Sequence, residues 1–293
     1  MSTHIPVLKK EVLEFLNPKH NENFIDCTVG EGGHTEAILE KIGPAGKVLG
    51  IDLDQEQIKN CRENVKSERL ILKNDSYANL LKIAEENRFG AVSGILADLG
   101  MSSVQLEKSK KGFSFQEDQP LDMRYSTESE LTAEEIVNEW PEEKIEEILR
   151  EYGEEKFSKK IARNIVSQRK QSRIKTTFEL AEIIKDATPP IYWRGRIHYA
   201  TRTFQALRIA VNGELDNLEK VLPQIVSILE PGGRIAIISF HSLEDRIVKN
   251  FLRDKQKEGI IKILTKSPVT AGPEELRSNP RSRSAKLRAA VKI

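Results

Sequence analysis

The chain reads as an α/β protein, a seven-stranded doubly wound sheet interrupted by an inserted all-helical domain. Three observations predict this. Over roughly the first hundred residues, short β-rich runs alternate with helical ones, the pattern of a parallel sheet flanked by helices. The alternation stops near Leu106 and resumes near Phe204. The stretch between them has helical periodicity and no convincing strand. Together these describe a Rossmann-like sheet split by helices.

Strands are predicted over 24–29, 47–53, 69–73 and 91–97, with helical spacing of apolar positions over 34–42 and 55–65. In the middle, Thr132-Ala133-Glu134-Glu135 is a capping-box start and Pro141 takes a favoured first-turn position. Phe157, Ile161 and Ile165 form an apolar stripe. Leu207, Val211, Leu215, Leu218 and Leu222 then recur at helical spacing, and Pro231-Gly232-Gly233 ends that helix and opens a strand over 234–240. Segments 260–264 and 287–291 complete the seven strands. The predicted division is a split core domain, 1–108 with 204–293, and a helical insertion, 109–203.

With 293 residues, 38% of them apolar, the chain can bury an ordinary core. No apolar run approaches the ~20 residues of a membrane span, and residues 1–10 lack the apolar stretch of a signal peptide. A cytoplasmic protein with no membrane partner is expected. Cys27 and Cys61 form neither a Cys-x-x-Cys pair nor a metal set with nearby histidines, and read as reduced thiols. The net charge of +1 hides a sorting of charge. Residues 128–155 carry twelve acids and two bases, residues 156–208 thirteen bases and three acids, and residues 277–292 six bases and no acid. One such run is usually a solvated helix face. Two basic runs, with Tyr192, Trp193, Tyr199 and Phe204 interleaved in the first, favour a polyanionic partner.

Asp26-Cys27-Thr28-Val29-Gly30-Glu31-Gly32-Gly33-His34 joins the first strand to the first helix, and its glycines would let a ligand approach the backbone. Asp52 ends the second strand, where an acid holds ribose hydroxyls in nucleotide-binding α/β folds. That pairing fits an adenosine-containing ligand without choosing between a dinucleotide and S-adenosylmethionine. Charge favours the latter. Asp26, Asp52, Asp54, Asp75 and Asp98 lie in or just after four successive strands, and they would repel a pyrophosphate but attract a sulfonium and an ammonium. A magnesium site, the rival reading, needs carboxylates converging at about 2.1 Å. These acids are strung along the sheet edge, so no metal is expected. Asp54 also suits a helix cap.

After the fourth strand comes Asp98-Leu99-Gly100-Met101-Ser102-Ser103-Val104-Gln105-Leu106. With His4-x-Pro6-Val7-Leu8, Gly32-Gly33-His34, Gly112-Phe113-Ser114-Phe115 and Pro120-Leu121-Asp122-Met123-Arg124, it builds a recognisable set. Ala200-Thr201-Arg202-Thr203-Phe204-Gln205-Ala206-Leu207-Arg208, Ser239-Phe240-His241-Ser242-Leu243-Glu244-Asp245-Arg246 and Ser284-Ala285-Lys286-Leu287-Arg288 extend it along nearly the whole chain. The set resembles the ribosomal small-subunit methyltransferase H family, also called MraW. The resemblance implies a class I methyltransferase-like fold, S-adenosylmethionine as donor, and methylation of the 4-amino group of a cytidine in the decoding region of 16S ribosomal RNA. By matching motif it implies cofactor contacts at Gly32, Gly33, His34, Asp52, Tyr77, Asp98 and Gln105. Tyr77 stands where the family usually has phenylalanine, keeping an aromatic face for adenine, and Tyr199 follows His198 where proline is usual. Lys111 replaces a frequent arginine before Gly112, keeping the charge without the planar fork.

A cytosine amine is a poor nucleophile, so positioning dominates the expected catalysis. An acceptor for an amine hydrogen would stabilise the charge that develops on nitrogen. Asp98 is the first candidate, contacting donor, amine or both. Ser102 and Ser103 are candidates to bond the base, although serines in tight loops commonly bond backbone. His241 follows a strand and is a candidate to line the substrate face. Base recognition needs arginine or aromatic planes and phosphate contacts, for which Arg194, Arg196, Arg202 and Arg208 are candidates, then Arg281, Arg283 and Lys286. The alternatives are a methyltransferase acting on another RNA or a protein, and a non-catalytic cofactor-binding RNA-binding protein. A dinucleotide oxidoreductase would need a second nucleotide-binding half, which the helices replace.

Overall fold

The computed structural model describes residues 5–102, 105–106, 109–195 and 197–293. The chain divides into two compact units, Met1–Gly100 with Leu215–Ile293, and Met101–Glu214.

The first unit holds seven strands: β1 Phe24–Asp26, β2 Val48–Asp52, β3 Leu70–Asn74, β4 Val92–Asp98, β5 Leu229–Ser239, β6 Ile261–Ile263 and β7 Lys286–Lys292. Their spatial order is β3-β2-β1-β4-β5-β7-β6. The strands β1 to β5 pair in parallel, and β7 runs antiparallel to both β5 and β6. The inner strands are apolar at nearly every position because both faces are covered, and successive side chains point to opposite sides. Ile25, Leu49, Ile95 and Ile237 join one cluster with Leu218, Val221 and Leu222 of the helix Glu214–Ile228 and Val248 and Leu252 of the helix Ser242–Lys257. Their neighbours Phe24, Val48, Leu96 and Ala236 join another with Val12 and Leu16 of Lys9–Leu16, Ile38 of Gly33–Lys41 and Ile58 of Gln55–Asn64. Gly94 leaves room for a ring: a Cβ there would lie 2.3 Å from Phe24.

The chain leaves β1 for β2 on one side and reaches β4 on the other, so the β1–β4 boundary is a topological switch point. The carboxyl ends of parallel strands at such a point form the usual ligand crevice of this architecture. Asp26, Asp52 and Asp98 are the last residues of β1, β2 and β4.

The second unit contains the helices Ala133–Glu139, Glu142–Glu151, Ser158–Arg169, Thr177–Ala187, Pro190–Trp193 and Thr201–Asn212. The capping box forms at Thr132, whose Oγ1 accepts from the Glu135 backbone N–H at 3.1 Å while Glu135 Oε2 accepts from the Thr132 N–H at 2.8 Å. A second one forms at Thr176 with Glu179. Ile161 and Ile165 of the predicted stripe are fully buried, and Phe157 packs beside them.

Three expectations differ from the structure. The helix predicted to run through 207–222 is two helices, because Gly213 takes a left-handed conformation, φ 57°, and ends Thr201–Asn212. The core fold was predicted to resume at 204, but Phe204, Ala206, Leu207 and Val211 are buried in the helical unit's own core. The compact units therefore part at Gly100/Met101 and Glu214/Leu215. Strand β5 also begins earlier than predicted, at Leu229, with a register irregularity at Val92/Gly94 where it passes Pro231-Gly232-Gly233. Among the described residues, no helix is long and apolar enough to cross a membrane.

Candidate functional site

The turn after β1 is tied down by its own side chains. Asp26 is buried and accepts from Thr35 Oγ1 at 2.7 Å and from the Thr28 N–H at 3.2 Å. Thr28 Oγ1 in turn accepts from the Asp98 N–H at 2.7 Å, linking this turn to the end of β4. Burial pushes the Asp26 carboxyl up, against the pull of Thr35 and His34. The fold's own packing also constrains the glycines. A Cβ at Gly32 (φ +93°) would lie 2.6 Å from Val65, and one at Gly33 would lie 2.4 Å from Pro6, so both are required by the protein's own packing. Gly30 (φ +51°) is the open one, with its nearest atom 3.9 Å away.

Asp52 receives the Gly30 N–H on Oδ2 and the Asp54 N–H on Oδ1, each at 3.0 Å. Burial pushes its carboxyl up to about 7; those two hydrogen bonds pull the other way, while Asp54 and Asp26 add repulsion. Each Asp52 oxygen retains a lone pair for a further donor. At the end of β4, Asp98 Oδ2 lies 3.6 Å from His34 Nε2, with 19% of the Asp98 side chain exposed. His34 is buried, and neither ring nitrogen has a hydrogen-bond partner among the described residues. No lysine or arginine pairs with Asp26, Asp52 or Asp98 among the described residues. Asp52 and Asp98, without basic partners among the described residues, fit a cationic ligand carrying hydroxyl donors and suit S-adenosylmethionine.

The other two acids of the row are structural. Asp54 caps Gln55–Asn64, accepting from the Glu56 N–H at 2.9 Å. Asp75 accepts from the Ser76 N–H at 2.6 Å and from Asn79 Nδ2 at 2.8 Å. Tyr77 opens a short 3-10 turn, Tyr77–Asn79, and packs against the cluster that includes Leu80 and Ile83.

Several predicted residues have partners within the fold. Ser102 Oγ accepts from the Gln105 N–H at 3.1 Å and Gln105 Oε1 accepts from the Ser102 N–H at 3.0 Å, a reciprocal cap. Ser102 is thus a backbone-bonding serine, and the buried Gln105 has its carbonyl oxygen engaged. Ser103 and Arg196 lie outside the described residues. His241, predicted to line the substrate face, caps Ser242–Lys257: Nδ1 accepts from the Glu244 N–H at 3.4 Å, and Glu244 Oε2 accepts from the His241 N–H at 3.2 Å. Arg208 grips Glu214 with two bonds of 2.8 and 2.9 Å, and Arg202 donates to the Glu154 carbonyl. Lys286 lies 3.7 Å from Asp245, which also receives Arg288 at 2.6 Å. Burial raises the Asp245 carboxyl, yet these two cations hold it below its ordinary value. Arg194 and Arg283 are exposed and Arg281 is half-buried.

A parallel sheet with one reversed strand, β7, and an acidic carboxyl edge at its switch point define a class I S-adenosylmethionine-dependent methyltransferase. The MraW methylase family pattern matches residues 1–293, so the chain belongs to that family. A Halothermothrix orenii protein, "Ribosomal RNA small subunit methyltransferase H", is 45% identical over 309 residues, covering 100% of this chain and 99% of that one. A protein of the same name from Kosmotoga olearia is 47% identical over 296 residues, covering 99% and 98%. The solved structure of a proposed rRNA methylase from Clostridium thermocellum aligns with a TM-score of 0.50 at 13% identity, covering 99% of this chain and 100% of that one, a likeness of fold.

Proposed function

We propose that this chain transfers the methyl group of S-adenosylmethionine to the exocyclic 4-amino nitrogen of a cytidine in the decoding region of 16S ribosomal RNA, acting on the small ribosomal subunit in the cytoplasm. The observation that carries the chemistry is Asp98, a partly exposed carboxylate ending a central strand at the switch point, 3.6 Å from a buried, otherwise unpartnered histidine. The family membership and the two relatives' names support the substrate.

When bound, the cofactor supplies an electrophilic methyl group on a cationic sulfur. Asp52 holds the ribose hydroxyls with the lone pairs left over from Gly30 and Asp54. Asp98 accepts an N–H of the cytosine amine, which helps that nitrogen pyramidalise and offsets the positive charge that forms as it gains the methyl. The nitrogen then sheds one proton, which the Asp98 carboxylate takes in this reading. His34 Nε2 lies 3.6 Å from Asp98 Oδ2, beside the carboxylate. The helical unit, Met101–Glu214, serves RNA recognition, with Arg194 there and Arg283 on the tail as phosphate contacts. Arg202, Arg208 and Lys286, already engaged within their own units, shape the elements that carry them.

The test is transfer of labelled methyl to small subunits lacking the modification, followed by nucleoside analysis of the digested RNA. Label in 4-methylcytidine is expected; label in another nucleoside would keep the methyltransferase and remove this acceptor.

A further inference from the structure

The short helix Pro190–Trp193 and the residues after it expose apolar side chains that the helical unit's core does not use. Ile191 is 74% exposed, Ile197 48% and Trp193 38%. The segment is nevertheless pinned. Tyr192 donates to the buried Glu155 at 2.8 Å, and the Trp193 indole N–H donates to Thr188 Oγ1 at 3.0 Å. Thr188 is itself buried and bonded to the Ile184 carbonyl at 3.0 Å, so the indole is held in one orientation by a fixed acceptor. Lys185, paired with Glu182, stands 5.8 Å from the centre of that ring, and Arg194 follows it in sequence, exposed.

An ordered, exposed indole beside arginine, in a stretch carrying thirteen bases against three acids over 156–208, matches the chemistry of single-stranded nucleic acid. There a ring stacks on a base while a guanidinium meets the phosphate. We infer, on the reading that the substrate is ribosomal RNA, that Trp193 is a stacking platform for an unpaired base of that RNA, with Arg194 as its phosphate contact and Ile191 and Ile197 as an apolar border. The platform holds RNA during methylation without touching the reacting atoms.

The chain has two tryptophans, Trp140 and Trp193, and Trp140 packs against the core of the helical unit. In full-length Trp140→Phe protein, indole emission reports on Trp193 alone, and titration with a short single-stranded oligocytidylate is expected to quench it saturably. In the wild-type background, Trp193→Ala is expected to raise KM for unmodified small subunits about tenfold, from a lost base stack. Trp193→Phe keeps most of the affinity, and both variants bind S-adenosylmethionine as the parent does. Unquenched emission together with an unchanged KM in Trp193→Ala would overturn the platform. Quenching by anionic lipid vesicles but not by RNA would overturn it in favour of a membrane surface. If the parent protein transferred no methyl to small subunits, the catalytic reading would fail, while the quenching titration, which needs no methyl transfer, would still decide the platform.

Discussion

A carboxyl group pushed up to about 7 by burial, as at Asp52, keeps its proton in the folded chain where the unfolded chain has already lost it. The folded state then binds the extra proton between roughly pH 4 and pH 7, so in this window the Asp52 contribution makes the cofactor-free protein less stable as pH rises. Asp52→Asn removes that slope, which thermal melts across the window would register. A cationic ligand prefers the ionised carboxylate, so S-adenosylmethionine affinity is expected to climb as pH passes through 7, and calorimetry on the parent and on Asp52→Asn checks whether the climb belongs to this residue. Asp98→Ala is expected to lose methyl transfer; normal transfer by that variant would remove Asp98 from the mechanism. Gly33→Ala tests the packing account of the turn. Its Cβ would meet Pro6 at 2.4 Å, and overpacking of this kind costs about 1–3 kcal/mol, read by denaturant unfolding.

At the scale of elements, caps decide where several helices begin. Thr132→Ala breaks a complete capping box and is expected to cost about 1 kcal/mol in urea unfolding. His241 poses a sharper question, because the same side chain is a catalytic candidate and a helix cap. Asparagine is a good N-cap without imidazole chemistry. His241→Asn is therefore expected to retain methyl transfer, and its abolition in a folded variant would restore a chemical role to the histidine. Of these boundaries, the Thr132-Ala133-Glu134-Glu135 capping box was legible in the chain, whereas the stop at Gly213 was hidden by apolar spacing that continues across it. The His241–Glu244 cap was not legible, since histidine seldom fills that position.

Across the whole molecule, charge is sorted more strongly than the net value of +1 suggests. If basic residues neutralise phosphates, affinity for RNA falls steeply with salt. Removing one exposed contact, Arg283→Ala, is expected to lower the slope of log affinity against log salt by about 1 without changing which nucleoside is methylated. Arg208→Ala should behave differently. It strands Glu214, whose carboxylate it grips in a partly buried fork, and so should show first as lost stability in a thermal melt.

The sequence by itself determined the alternation of strands and helices, the helical interruption, the acids at the strand ends and the motifs that place the chain in its family. All of these are local or periodic signals: side chains alternate along a strand, recur along a helix, and cap at fixed offsets. Tertiary structure alone decided which partners those residues meet. Gly32 and Gly33 are needed for Val65 and Pro6, residues distant or separated from them in the chain. Arg208 reaches Glu214 because Gly213 breaks the helix between them, and Lys286 meets Asp245 because β7 returns beside β5. His34 comes beside Asp98 only because β1 and β4 are neighbours in the sheet. Partnership between residues far apart in sequence depends on strand order and on competition for hydrogen bonds, and neither is written in local periodicity.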